Sequence, residues 1–180
     1  MKATGIVRRI DDLGRVVIPK EIRRTHRIKE GDPLEIFTDR EGEVIFKKYS
    51  PIGELGDFAS SYADALSKSS GVGVCITDKD NIIAVSGIPK KELQEKRVSE
   101  EIEKIMNDKE KFIKKETEKR SFSVADGISR YYAGVVMPIV SEGDTVGSVV
   151  MFSDNDKNMG DVESKLAETA AGFLGKQMEQ

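Results

Sequence analysis

The chain of 180 residues has one cysteine and one histidine. A single thiol, Cys75, excludes an intrachain disulfide and any cysteine-rich zinc site. A single imidazole, His26, leaves histidine metal clusters and Ser-His-Asp chemistry without their parts. No apolar run approaches the roughly 20 residues that a membrane-spanning helix requires, so no membrane partner is expected. The opening stretch MKATGIVRRIDDLGR has neither the apolar core nor the cleavage pattern of a secretory leader. The expectation is a cytoplasmic protein with no metal and no cofactor.

Charge is plentiful but unevenly placed. Residues 1–29 hold nine Lys or Arg against three acids, a net +6, so the other 151 residues carry −9 of the chain's total of −3. A basic head on an acidic body points to an anionic partner for the head.

The head is organised around Leu13 to Ile28, LGRVVIPKEIRRTHRI. Arg15-Val16-Val17-Ile18 is a β-branched run with strand character. Pro19 ends it and suits the first turn of a helix, where its missing N–H costs nothing. The helix then carries Lys20, Arg23, Arg24 and Arg27 at i, i+3, i+4 and i+7, one face of an α-helix. Such a stripe is often only a solvated face. The use of arginine at Arg8, Arg9, Arg15, Arg23, Arg24 and Arg27 tilts the reading toward phosphate and base edges, which suit its planar fork.

Upstream, residues 4–10 read as a first strand, with the turn Asp11-Asp12-Leu13-Gly14 leading into the second. Downstream, Glu30-Gly31-Asp32-Pro33 is a turn cluster. Leu34–Asp39 and Glu43–Tyr49 are hairpin strands about Arg40-Glu41-Gly42. The module is β, β, short helix, β, β in about 50 residues, too few for a robust core without a staple. Disulfides and metals being excluded, an obligate homodimer with interleaved strands is expected. Two-fold symmetry then places two arginine sets along a DNA duplex.

These residues resemble the AbrB-like transition-state regulators over nearly all of positions 3–49, most specifically in GIVR, LGRVVIP and EIRR. The resemblance implies a swapped-hairpin dimer that binds double-stranded DNA through the arginines of those segments: Arg8, Arg15, Arg23 and Arg24. Lys2, Arg9, Lys20 and Arg27 are supporting phosphate contacts. After EIRRT the family commonly has a leucine and then a glycine. Here stand His26 and Arg27, and Arg27 lengthens the basic stripe.

Ser50-Pro51 closes the module and caps a helix that the apolar spacing runs from about 52 to 69, ending near Gly71. Strands follow at Val72–Thr77 and Asn81–Val85, then a polar helix over Lys90–Lys111. Four more strands are expected at 112–115, 120–124, 130–140 and 145–153, and a last helix at Met159–Met178. This order is an α+β sheet domain. It resembles a GAF domain, a small-molecule sensing and dimerisation module, though no ligand motif stands out and the ligand is not named by the sequence. The division is therefore 1–51, swapped-hairpin DNA-binding domain, and 52–180, GAF-like sensory and oligomerisation domain.

Cys75 in its apolar strand reads as a buried structural thiol, and one cysteine argues against the GAF-type sulfoxide reductases. Gly71-Val72-Gly73 follows a helix, so it is no phosphate loop. Glu100, Glu101 and Glu103 read as a solvated face, and Tyr131-Tyr132 as core, with the lining of a ligand pocket as the alternative. Small residues Ala63, Ala167, Ala170, Ala171 and Gly172 suggest a helix contact between two GAF domains and hence a homotetramer.

The combination resembles DNA-binding regulators, both activating and repressing, of late forespore-stage sporulation genes, nucleoid-associated in the cytoplasm. Two alternatives are an antitoxin-like protein-binding module and a regulator whose GAF ligand controls DNA binding. A small-molecule enzyme would need a catalytic constellation, and the second domain offers no histidine and one cysteine.

Overall fold

A computed structural model describes residues 4–115, 117, 120–155 and 158–179. The chain divides into two compact units, Met1–Tyr49 and Ser50–Gln180.

The first unit has a short helix, α1 (Lys20–Thr25), and an antiparallel hairpin, β1 (Leu34–Thr38) with β2 (Val44–Lys48). The hairpin closes on Asp39, whose Oδ1 accepts the Glu41 and Glu43 amides at 3.0 and 2.8 Å, with Gly42 at φ 83°. Residues 4–10 and 15–18, expected as strands, join no ladder within the chain. Among the described residues β1 and β2 pair only with each other, so each keeps an open outer edge that neither segment takes up. Burial agrees. No residue from 4 to 49 is buried, and Val7, Ile10, Leu13 and Val17 are exposed by 84, 71, 70 and 71%. Ile36, Phe37, Val44, Ile45 and Phe46 of the hairpin are exposed as well.

The second unit opens as the cap predicts: Ser50 Oγ accepts the Gly53 amide at 3.2 Å, with Pro51 in the first turn. The single helix expected over 52–69 is two, α2 (Pro51–Glu54) and α3 (Gly56–Ser70), broken at Leu55. Gly71, at φ 70°, ends α3 in the left-handed conformation that glycine adopts without strain. Strands β3 (Gly73–Thr77) and β4 (Ile82–Ser86) follow. The helix expected over 90–111 is only α4 (Glu100–Asp108), preceded by a 3₁₀ turn at Lys90–Glu92. Between them the backbone is taken by the sheet edge. Ile82 donates to Lys96 O at 2.8 Å and accepts from the Glu95 amide at 2.9 Å, and Val98 donates to Asp80 O at 3.0 Å. Ser99 then caps α4, its Oγ accepting the Ile102 amide at 3.4 Å. The remainder is β5 (Phe112–Ile113), β6 (Ser123–Ala125), β7 (Ile128–Ser141), β8 (Asp144–Ser153) and α5 (Asp161–Gln177).

The six-stranded sheet runs β4-β3-β8-β7-β5, with β6 also on β7, antiparallel throughout. Alternation on β3 and β8 splits the core in two. Val74, Ile76, Val149 and Met151 face α2, α3 and α5. Cys75, Val150 and Phe152 face the α4 side. A sheet covered on both faces explains why its strands are apolar at nearly every position. Cys75 is fully buried, and burial pushes its thiol far above the ordinary range. Ala63, Ala167, Ala170 and Ala171 are also buried, within the first of these clusters. They let α3 and α5 sit close on their own sheet and are not available to a partner helix. Gly172 is exposed.

Candidate nucleic-acid interface

Arg8 and Arg9 lie on the segment 4–10, and the basic residues after them sit on three short pieces of backbone. The first is the Asp11–Gly14 turn. Asp11 Oδ1 accepts the Leu13 and Arg15 amides at 3.0 and 2.8 Å. The Asp11 and Gly14 amides close the turn on Arg15 O and Asp11 O, each at 3.0 Å, with Gly14 at φ 74°. Arg15 returns its Nε to Asp11 Oδ2 at 2.8 Å. Arg15's amide and guanidinium hold the Asp11 carboxyl below the usual carboxylate range.

The second piece is α1. Pro19 precedes it and Pro19 O accepts the Arg23 amide at 2.9 Å. Lys20, Arg23 and Arg24 fall within one face, and Thr25 Oγ1 donates back to Glu21 O at 2.9 Å. The third piece is the turn after α1. The helix ends at Thr25 with His26, itself exposed, as its C-cap. Arg27 lies beyond it at φ 49° and is half-buried. The four-residue stripe expected from spacing is thus three residues on the helix, with Arg27 on a turn. The left-handed backbone is the place where the AbrB pattern carries its glycine.

That turn is fastened to the hairpin. Lys48 Nζ donates to Arg27 O at 3.1 Å and lies 3.3 Å from Asp32, whose Oδ2 also accepts the Lys29 amide at 2.9 Å. Asp11, Asp32 and Lys48 are the organising residues that sequence reading missed. The available signal was their position: each carboxylate lies beside a glycine turn, Asp11 with Gly14 and Asp32 with Gly31.

Arg8, Arg9, Arg15, Lys20, Arg23 and Arg24 are all exposed. Arg8 Nη1 donates to the neighbouring Val7 O at 3.0 Å. Among the described residues, the side chains of Arg9, Lys20, Arg23 and Arg24 have no hydrogen-bond or ion-pair partner. Lys2 lies outside the described residues.

In the second unit, an open cleft of about 700 Å³ lies at the end of α3 and the β3–β4 edge, lined in part by Ser67, Gly73, Gly87, Tyr131 and Phe152. Tyr131 is 2% exposed, as a core residue would be. It also lines this cleft and donates to Glu92 Oε2 at 2.5 Å, while Arg130 reaches the same oxygen at 3.0 Å. Among the described residues, no cluster of His, Cys, Asp and Glu is placed to hold a metal, and no helix is long and apolar enough to cross a membrane.

Residues 54–179 match the family described as "Stage V sporulation protein T C-terminal, transcription factor". Residues 7–53 match "Antidote-toxin recognition MazE, bacterial antitoxin". Stage V sporulation protein T of Bacillus subtilis (strain 168) is 60% identical over 181 residues, covering 100% of each chain. The transition state regulatory protein AbrB of the same organism is 63% identical over 63 residues, 32% of this chain and 65% of its own. The GAF domain of an Acinetobacter phosphoenolpyruvate-protein phosphotransferase superposes with a TM-score of 0.57 at 12% identity, over 69% of this chain and 81% of that one. It establishes the fold of the second unit and nothing more.

Fold and relatives together define an α+β transcription factor, an AbrB-like N-terminal domain followed by a GAF-like C-terminal domain. The chain belongs to the stage V sporulation protein T family and is a regulator of sporulation.

Proposed function

We propose that paired heads bind duplex DNA and that the chain thereby activates some late forespore-stage genes and represses others, in the cytoplasm at the nucleoid. Arg8, Arg15, Arg23 and Arg24 carry the contacts, with Lys2, Arg9, Lys20 and Arg27 adding charge. The observation that carries this reading is the set of exposed cations, Arg9, Lys20, Arg23 and Arg24, without an internal counter-ion among the described residues. Cations left without an internal partner are available to an external anion. Residues 1–51 act as the DNA-binding domain and 52–180 as the sensory and assembly domain. No catalytic role is assigned to either.

A second copy supplies what the head lacks. It offers strand partners for 4–10 and 15–18 and covers the exposed apolar residues of both hairpins, which one chain leaves in water at about 25 cal/mol per Å². The GAF-like domains then join two dimers into a tetramer. Phe58, Tyr62 and Phe173 support this step. Their rings cluster at 5.7–6.1 Å on α3 and α5, with Phe58 and Phe173 39 and 42% exposed. Phe173→Glu is expected to halve the sedimenting mass, from tetramer to dimer, with the far-ultraviolet circular dichroism unchanged. A variant that still sediments as tetramer removes this patch from the interface.

The test of DNA binding is a titration of labelled duplex at 50 and 200 mM salt. With six or more phosphates neutralised per dimer, affinity is expected to fall about a thousandfold between the two. A wild-type dimer that binds no duplex would hand the head to protein recognition, the reading that the match over residues 7–53 favours. The cleft beside Tyr131 favours, in second place, a small molecule that modulates this binding.

A further inference from the structure

Arg15 is held differently from the cations around it. Asp11 is fixed to the backbone through Oδ1, which accepts the Leu13 and Arg15 amides at 3.0 and 2.8 Å. Its other oxygen takes Arg15 Nε at 2.8 Å. The guanidinium is therefore gripped along one edge, while Nη1 and Nη2 have no partner among the described residues. The Arg15 side chain is 69% exposed and Asp11's 38%. Of Arg8, Arg9, Arg15, Arg23 and Arg24, Arg15 alone is paired with a carboxylate among the described residues.

On a surface that only clamps phosphate, this carboxylate works against binding. It repels the backbone and cancels one of the cations meant for it. A phosphate contact needs charge and little orientation. A guanine edge needs the opposite: a planar fork, correctly turned, set against O6 and N7. Holding Nε leaves the two Nη groups as that fork. It also restricts the side chain before DNA arrives, which lowers the entropy lost on binding.

The geometry points to Asp11 as a positioning residue that aims Arg15 at a guanine edge in the major groove, so that Arg15 reads sequence where its neighbours supply charge. The inference rests on the DNA reading of the head.

The test uses the full-length wild type, Asp11→Asn and Arg15→Lys. Each is put through selection from a random-sequence duplex pool. Each is then titrated on the wild-type-selected duplex, on its guanine-to-adenine counterpart, and on poly(dA-dT). The wild type is expected to select guanine at two symmetric positions and to prefer it about tenfold at each. Asp11→Asn keeps an oxygen for the two amides but loses the charge that holds Nε. It is expected to bind poly(dA-dT) at least as tightly, with a salt slope steeper by about 1 per chain as Arg15 becomes free to meet phosphate. Its guanine preference should fall to threefold or less. Arg15→Lys should lose the preference and keep poly(dA-dT) binding.

Asp11→Asn retaining the full guanine preference would overturn the assignment. So would a uniform loss of affinity on every duplex, the mark of a purely structural carboxylate. A wild type that binds duplex without guanine preference sinks this inference alone. A wild type that binds no duplex sinks the DNA reading beneath it.

Discussion

Replacing Arg23 and Arg24 together by alanine is expected to weaken duplex binding about a thousandfold at 0.1 M salt while leaving the fold intact. The size follows from symmetry and counterions. In a two-fold dimer the double substitution removes four cations. Each cation on a phosphate contributes close to one unit of slope in log affinity against log salt. Four of them amount to roughly three to four decades between 1 M and 0.1 M salt, so the slope itself should flatten by three to four. The fold survives for a local reason: both residues are exposed, without side-chain partners among the described residues, and alanine has the highest helix propensity. Titration at several salt concentrations, with circular dichroism and sedimentation on the same samples, separates the two effects. An affinity within tenfold of wild type, on an intact dimer, would place the DNA surface elsewhere on the molecule.

The parts of this site legible in the sequence are those governed by neighbours in the chain. Pro19 after a β-branched run set the start of α1, and the spacing of Lys20, Arg23 and Arg24 set its charged face. Ser50-Pro51 marked the first turn of α2, and the turn residues marked both hairpin ends. Arg27 falls off the helix because α1 closes in a local C-terminal turn, in which the Arg27 amide donates to Arg24 O at 3.2 Å. Ile28 N turns back to Arg23 O at 2.7 Å, and Lys48, 21 residues on, takes the Arg27 carbonyl. No rule of periodicity contains those partners. The family's glycine at that position was the one visible warning, since φ 49° is costly for an arginine. The strands at 4–10 and 15–18 had the right composition, but a strand is a relation between two segments, and within one chain its other half is missing. The same limit cut the polar helix over 90–111 to nine residues, because β4 claims the backbone before it. On α3 and α5 the small residues were visible and their direction was not. The alanines turned inward, and Phe58 and Phe173 hold the exposed face.

Gly147→Ala is expected to destabilise the GAF-like domain by about 3 kcal/mol, the range of overpacking in a site that cannot relax. Gly147 lies on β8 opposite Ile139 of β7, beside the register shift that follows at Val140. A methyl group there would overlap the Thr77 carbonyl oxygen on β3 and come to 3.0 Å from its carbon. Backbone, not a flexible side-chain end, is what stands in the way. Nor is Thr77 free to retreat. Its Oγ1 lies 2.8 Å from Ser148 Oγ and accepts the Ser148 amide at 3.1 Å, all in fully buried surroundings. Relief of the overlap therefore breaks buried hydrogen bonds, each costing about 1–3 kcal/mol when left unmade. In a domain of this size such a loss lowers the melting temperature by about 10 °C. Gly56→Ala is the matched control. That glycine opens α3 with nothing within 4 Å of the added carbon, so its substitution is expected to be neutral or stabilising by up to about 1 kcal/mol. Calorimetry of the three proteins decides the matter. Equal melting temperatures for Gly147→Ala and wild type would mean that β3 and β8 can part at Thr77 without cost, and that the close approach of these strands does not hold the sheet together.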